Sequence, residues 1–222
     1  MTRDGLRDGS LLRQFAECAP ALRLLTEEER AASLARTLAQ RPPGADGVWL
    51  FAYGSLIWNP ALRYEDHRVA RVQGWHRRFC LSTIAGRGTQ DAPGLVLGLD
   101  RGGACTGAAF HVAEPLVAEE LTLLWRREML SGSYAPRWMR LRDKAGAPFA
   151  HGIGFVIDRT GPYYAGTLAE DETVRRLATA RGNLGSSAEY LLRTRDGLRL
   201  LGIHDPHVER LARRVELAQA DV

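Results

Sequence analysis

The spacing of hydrophobic and polar positions first indicates a helix in the segment 26–40, where apolar residues recur on one face. Thr26 and Glu29 at its start form the T-x-x-E pattern of a capping box. The stretch RPPGADG that follows brings together prolines and glycines, which end a helix. The pattern therefore predicts a first helix over residues 26–40, within a helical N-terminal extension (1–47) that packs on the rest of the chain.

From Val48 onward the pattern changes to short apolar runs separated by turns that contain Gly, Pro and Asp, which is typical of strands. The runs are VWLFAY, RVARVQGW, RRFCLSTI, GLVLGLD, TGAAFHV, RWMRLRD and HGIGFVI. One helix is predicted from about Pro115 to Leu130, and helical spacing returns after Asp171 in DETVRRLATA, SSAEYLLRT and DPHVERLARRVELA. Because alternating βαβ units are missing, we expect residues 48–222 to form an α+β domain around a curved or closed mixed sheet.

Composition and charge exclude several classes of protein. Of the 222 residues, 45% are hydrophobic and 25% are charged, as in ordinary globular proteins. The net charge of +4 comes from 30 basic and 26 acidic residues, and the arginine pairs lie in separate segments, so we expect no nucleic-acid partner. No apolar run approaches the roughly 18 residues of a membrane span, and no signal-peptide core stands at the start. We expect a cytoplasmic monomer without a membrane partner.

Metal, nucleotide and triad chemistry lack their residues. Three widely spaced cysteines suit neither a CxxC metal pair nor a disulfide framework, and we interpret them as structural thiols: Cys18, Cys80 and Cys105. Gly86-Arg87-Gly88-Thr89 has no P-loop lysine, which favours a glycine turn. His204 and His207 flank Asp205-Pro206, a predicted helix N-cap and N1, which favours capping or surface histidines over a metal site. Neither a metal nor a cofactor is expected.

The predicted helix 115–130 carries one carboxylate on its apolar face. On a helical wheel Glu128 shares an arc with apolar residues, namely Val117, Leu121, Leu124 and Trp125. Four charged residues fall outside that arc: Glu119, Glu120, Arg126 and Arg127. An inward carboxylate loses hydration, which raises its pKa toward the value that a general base needs near neutral pH. The alternative is a structural carboxylate that reaches water or an arginine such as Arg137 or Arg140.

A second candidate is Tyr53-Gly54-Ser55-Leu56, which follows the predicted strand that ends at Ala52. A strand that runs into Gly-Ser exposes consecutive backbone N–H groups, and the missing Cβ at Gly54 lets a ligand approach them. Such a turn can hold a carboxylate or an oxyanion. The alternative is an ordinary strand end with a turn, and a serine hydrolase is disfavoured because Ser55 has no G-x-S-x-G elbow.

Several long segments taken together resemble the ChaC-type glutathione-specific γ-glutamylcyclotransferases, especially the bacterial branch. They follow the order of the family: FAYGSLIWNPAL, GWHRRFCLSTIAGRGT, PGLVLGLD, LTLLWRREMLSGSY, LGSSAEYL and LGIHDPHV. The resemblance runs from about Val48 to the C-terminal helix. It implies a γ-glutamylcyclotransferase-like fold, in which a small mixed sheet curls into a barrel with flanking helices.

The resemblance also implies the residues of a site. The glutamate of the family's R-E-x-x-x-G-x-Y segment corresponds to Glu128, which implies a general acid/base. The family's Y-G-S-L substrate loop corresponds to residues 53–56, with Ala52 before it and Tyr190 on a later helix as further substrate-binding residues. Two positions depart from the family pattern: Ala52 replaces a usual glycine, and Ser187 stands where asparagine is common ahead of the tyrosine.

The implied reaction converts glutathione to 5-oxoproline and Cys-Gly by attack of the substrate's α-amine on its own γ-carbonyl. No metal, cofactor or enzyme nucleophile is needed, because the nucleophile belongs to the substrate. An alternative is a non-catalytic protein of the same fold that binds a γ-glutamyl or acidic peptide end, or that regulates a transporter. The presence of Glu128 favours an enzyme, and activity on other γ-glutamyl amines stays open.

Overall fold

A closed five-stranded barrel lies at the centre of the computed structural model, which describes residues 1–220. The strands are β1 (Val48–Ala52), β2 (Asp66–Thr83), β3 (Gly94–Val112), β4 (Tyr134–Arg142), β5 (Pro148–Ile157) and the short pair β6 (Arg181–Gly182) and β7 (Gly185–Ser186). The helices are α1 (Arg3–Arg7), α2 (Ser10–Cys18), α3 (Glu27–Ala39), α4 (Ser55–Trp58), α5 (Glu114–Glu128), α6 (Glu170–Thr179), α7 (Ser187–Leu200) and α8 (Pro206–Ala220).

The barrel is a mixed sheet with the order β1-β3-β2-β4-β5, closed by pairing of β5 with β1; β3 and β5 make an additional pairing. Neighbouring strands are antiparallel, except that β5 runs parallel to β1 and to β3. The predicted α+β class with a closed mixed sheet is therefore confirmed. One detail was wrong, since four predicted runs merge into the two long strands β2 and β3. Gly74, with φ of 80°, sits in a register shift between Gln73 and Trp75 that bends β2 without ending it.

The predicted helices form with small shifts at their ends. Helix α3 begins after Thr26, and both bonds of the capping box with Glu29 are present. Helix α8 begins at Pro206, and the Asp205 side chain accepts bonds from two first-turn amides, as the N-cap interpretation requires. Helix α5 ends at Glu128 instead of Leu130, so Glu128 is the last helical residue.

The sheet lies between two layers of helices, and alternate residues of β1 belong to two different cores. Leu50 packs in the core beneath α5, whereas its neighbour Phe51 packs in the core that includes α6, α7 and α8. This follows from the two-residue period of a strand, since successive side chains point to opposite faces. Along residues 1–220, no helix combines the length and apolar character needed to cross a bilayer.

The N-terminal helices cover one end of α5. A small cluster joins Leu6, Leu11 and Phe15 to Leu123 of α5 and to Ala85. Cys18, at the end of α2, is exposed, so the interpretation as a structural thiol is wrong for this residue, whereas Cys80 and Cys105 are buried.

Helix α5 is buried on more than the apolar arc of the helical wheel, so the prediction from the wheel was incomplete. Glu120 is fully buried and Arg127 is 6% exposed, although both fall outside the arc. The reason is tertiary: α1 covers Glu120 and supplies Arg3 as its ion-pair partner, and the loop after α4 covers Arg127.

Candidate active site

A cavity of about 340 Å³ opens beside the C-terminal end of α5, and a smaller pocket of about 20 Å³ adjoins it on the side of the barrel. Four residues line both spaces, and they mark where the two meet: Ser55, Glu128, Tyr134 and Tyr190. The structure thus brings together the glutamate, the loop after β1 and the tyrosine of α7, which are distant in sequence. Ala52 lines neither space, because it is paired with Ala108 inside the barrel sheet.

Glu128 faces the cavity with a side chain that is 13% exposed. Burial raises the pKa of its carboxyl group, and the positive charge of Arg127 offsets part of that rise. The direction agrees with the prediction from the helical wheel. The Arg127 Nε atom lies 2.9 Å from Oε1 of Glu128, but its N–H is not directed well enough to form a hydrogen bond. The carboxyl group can therefore exchange a proton with a bound molecule.

Arg127 is the ion partner of Glu128 that sequence reasoning missed. Its guanidinium donates from Nη2 to Oγ of Ser55 at 2.9 Å and from Nη1 to the carbonyl of Asn59, so it joins the end of α5 to the loop after β1. Arg137 and Arg140 were the expected alternatives, but both are exposed on β4. The only sequence signal for Arg127 was its place directly before the glutamate in the family's R-E segment.

The loop after β1 forms the wall of the inner pocket. Gly54, Ser55 and Leu56 line it together with Tyr53, whose hydroxyl donates to the carbonyl of Phe155 at 2.7 Å. Gly54 precedes the single turn of α4, and its carbonyl accepts a bond from Ile57 N at 2.9 Å. The loop is thus a strand end followed by a short helix, and it also borders the cavity.

Tyr190 is a core residue at its ring and a pocket residue at its hydroxyl. The ring makes edge contacts with Trp58 and Phe79, at centroid distances of 6.1 and 6.2 Å. Burial raises the pKa of the hydroxyl to about 12, so it stays protonated. The Tyr134 hydroxyl donates to the Leu97 carbonyl at 2.7 Å. The Tyr190 oxygen faces backbone groups of Leu97 and Ser55, which favour its ionised form, but its hydroxyl donates to no acceptor within residues 1–220. Its proton is available to a ligand.

Two arginines stand together at the outer part of the cavity. Glu189 lies between them, 2.6 Å from Nη1 of Arg87 and 3.0 Å from Nη2 of Arg193. The two guanidinium carbons lie 6.0 and 5.4 Å from the ring centre of Trp58. With Arg127, the cavity carries three arginines against two glutamates, which favours an anionic ligand.

The segment that carries Arg87 is held in place by Ser187. The buried Ser187 hydroxyl donates to the carbonyl of Arg87 at 3.0 Å and accepts from Leu95 N at 3.1 Å. The serine at the departure from the family pattern therefore positions the wall of the cavity. Gly86 adopts φ of 79°, as expected for the glycine turn. Trp125 lies in the core beneath α5 and lines neither space.

Comparison with known proteins identifies related sequences and folds. The family model described as "ChaC-like protein" matches residues 48–218. The glutathione-specific γ-glutamylcyclotransferase of Escherichia coli (strain K12) is 42% identical over 205 residues, which cover 92% of this chain and 87% of that protein. The human glutathione-specific γ-glutamylcyclotransferase 1 is 33% identical over 159 residues, which cover 70% of this chain and 71% of that protein.

A solved structure shares the fold. The crystal structure of a γ-glutamylcyclotransferase specific to glutathione from yeast superimposes with a TM-score of 0.72. The match covers 80% of this chain and 99% of the yeast chain at 19% identity. At this identity the likeness shows the fold alone, and it agrees with the barrel and flanking helices described above.

Proposed function

The chain belongs to the ChaC-like protein family, and we propose that it is a γ-glutamylcyclotransferase that acts on glutathione. The observation that carries this proposal is Glu128, a buried carboxyl group with a raised pKa that faces a cavity of about 340 Å³. A carboxyl group of this kind can take a proton and return it near neutral pH.

The proposed reaction cleaves the γ-amide without water. The α-amine of the γ-glutamyl group attacks its own γ-carbonyl, forms a carbon–nitrogen bond and closes a five-membered lactam. The bond to the cysteinyl nitrogen then breaks, and that nitrogen must gain a proton to leave as an amine. Glu128 takes the proton from the attacking amine and delivers it to the leaving nitrogen, so atoms and protons balance with no other reactant.

In this proposal the γ-glutamyl group binds where the inner pocket meets the outer cavity, beside Glu128 and Tyr190, because the inner pocket alone is too small to hold it. Backbone N–H groups of Tyr53, Gly54 and Ser55 bind its α-carboxylate or the oxyanion that develops on the γ-carbonyl. The Tyr190 hydroxyl, which has no acceptor within residues 1–220, donates a further hydrogen bond. Arg127 keeps the loop in position through its bond to Ser55 at 2.9 Å.

The outer cavity holds the rest of the peptide. Glutathione carries a second carboxylate at its glycyl end, and Arg87 and Arg193 offer two guanidinium groups at a cavity wall. Glu189 holds both groups in place, and the planar forks suit a carboxylate. We therefore assign the recognition of the glycyl carboxylate to this pair.

Product analysis tests the function. The protein is incubated with glutathione, and 5-oxoproline and Cys-Gly are measured by mass spectrometry; equal molar amounts of the two are expected. A protein of the same fold that only binds γ-glutamyl peptides would shift its melting temperature with glutathione but release neither product. That outcome would overturn the enzymatic assignment.

A further inference from the structure

Residues 1–22, called the N-terminal wall below, form part of the cavity although they lie outside the region 48–218 that the family model matches. We propose that this wall determines which γ-glutamyl compounds react, by limiting the size of the group attached to the γ-carbonyl. The inference rests on the proposed function. It assigns substrate specificity to a segment that precedes the barrel and lies outside the region matched by the family model.

The position of the wall relative to Glu128 carries the argument. The inner pocket beside Glu128 measures only about 20 Å³, so the part of a substrate beyond the scissile bond must extend into the outer cavity. Phe15 and Leu22 of the wall line that outer cavity but not the inner pocket. The wall therefore faces the leaving group and not the γ-glutamyl group.

Phe15 closes the cavity against the segment that carries Arg87. Its side chain is 5% exposed, and a Cβ built on Gly86 would lie 3.3 Å from Cζ of Phe15. The Leu184 side chain lies on the same side, 3.4 Å from that Cβ, and Leu184 N donates to the carbonyl of Gly86 at 2.7 Å. Phe15 and the turn before α7 therefore both pack against the segment that carries Arg87.

Buried polar contacts fix the wall to α5 and make it a permanent part of the site. Arg3 Nη2 lies 2.5 Å from Oε1 of the fully buried Glu120, and the backbone N–H of Arg63 donates to Oε2 of Glu120 at 3.0 Å. Since a buried carboxylate needs its partner, release of Arg3 is unfavourable. Arg126 Nη1 also donates to the carbonyl of Leu6 at 3.2 Å. These contacts hold the wall at a set distance from the cavity floor.

The test compares two alanine substitutions within one apolar cluster. Phe15 and Leu11 both belong to the buried cluster of the wall, but only Phe15 lines the cavity. The values of kcat/KM are measured for glutathione and for γ-glutamyl-2-naphthylamide, whose leaving group is bulky and rigid. Phe15→Ala is expected to raise the naphthylamide-to-glutathione ratio at least tenfold, whereas Leu11→Ala leaves the ratio within twofold of the parent.

A second variant keeps the test decisive if Phe15→Ala does not fold. Leu22 is half-buried, so Leu22→Ala removes less core packing and is expected to change the ratio in the same direction by at least threefold. An unchanged ratio in Phe15→Ala and Leu22→Ala, or an equal change in Leu11→Ala, would overturn the inference. The proposed function is tested separately, because the parent protein must release 5-oxoproline from glutathione whichever way the ratios fall.

Discussion

A methyl group at position 54 would collide with the hydroxyl of Tyr190, since a Cβ built on Gly54 lies 2.7 Å from that oxygen. The other nearest atoms, of Leu97, lie at 3.6 Å, which is ordinary van der Waals contact. The glycine therefore does more than expose backbone N–H groups, because it leaves the space that the tyrosine hydroxyl occupies. The loop after β1 and helix α7 are matched to each other at this point.

Gly54→Ala is expected to lower kcat/KM for glutathione by on the order of 10²-fold, because a small displacement of reacting groups is this costly. In the Tyr190→Phe background the clashing oxygen is absent, so the same substitution should cost much less. A double-mutant cycle measures this coupling. Effects that simply add would show that the two residues act independently and that the close approach has no role in substrate binding.

Tyr190→Phe is expected to lower kcat/KM about tenfold or more with little loss of stability, because its hydroxyl donates to no acceptor within residues 1–220. Tyr134→Phe is the matched control. It leaves the carbonyl of Leu97 without its 2.7 Å bond, which costs about 1–3 kcal/mol of unfolding free energy. Denaturant unfolding and steady-state kinetics on both variants check the contrast. A large stability loss in Tyr190→Phe would assign its hydroxyl to the fold.

Local patterns were sufficient for the features that depend on neighbours in sequence. The T-x-x-E pattern predicted the capping box of α3, and the helical wheel predicted that Glu128 points inward, because a helix places residues by its own period. The strand runs predicted an α+β domain around a curved or closed mixed sheet, and the family resemblance implied the barrel. The order of long motifs pointed to the family, which the match over 48–218 shows.

Contacts between distant residues could not be predicted in the same way. Arg3 and Glu120 are 117 positions apart, and a wheel of α5 alone places Glu120 toward solvent. Arg127 is buried by the loop after α4, and Phe15 reaches the cavity only because α2 joins the apolar cluster that includes Leu123 of α5. In each case tertiary packing decides whether the residue is buried. The amphipathic pattern of a single helix does not show which other segments cover its polar face.

Glu128→Gln is expected to reduce kcat by about 10²- to 10⁴-fold while glutathione still binds, because the amide has the same shape but cannot carry the proton. Stability should respond in the opposite direction. Burial raises the pKa of Glu128 in the folded state, so ionisation of the residue opposes folding above its unfolded pKa. The variant should therefore melt at or above the parent temperature at pH 8, and this advantage should vanish at a pH below the unfolded value.

The matched control for this substitution is Glu114→Gln, at the opposite end of α5, where the carboxylate is 55% exposed. It should leave kcat unchanged. Isothermal titration with glutathione and melting curves at two pH values complete the comparison. Full turnover by Glu128→Gln would move the acid/base role to another group.

The pH profile of the parent enzyme should show an acid limb above the ordinary glutamate value, because Glu128 must be ionised to accept the proton and its pKa is raised. The charge of Arg127 favours the carboxylate and lowers that pKa. Arg127→Met should therefore move the limb of kcat/KM to higher pH, whereas Arg127→Lys, which keeps the charge, should move it less. Both variants lose the guanidinium fork that joins Ser55 to Asn59, so the comparison tests chiefly the charge. If the acid limb of kcat/KM lay at the same pH in the two variants, this account would be contradicted.

Glutathione turned over in ¹⁸O-labelled water should yield 5-oxoproline without label and no free glutamate. If Glu128 acts on the amine of the substrate, no water enters the product, whereas hydrolysis of the same γ-amide places label in the γ-carboxylate of glutamate. The intramolecular route is favoured because well-oriented groups reach effective molarities of roughly 10⁵ M or more, far above the concentration of water. The small inner pocket, about 20 Å³ beside Glu128, also leaves little room for a water molecule behind the γ-carbonyl once the γ-glutamyl group is bound. Labelled glutamate as the main product would show that this site hydrolyses the γ-amide and does not cyclise the substrate.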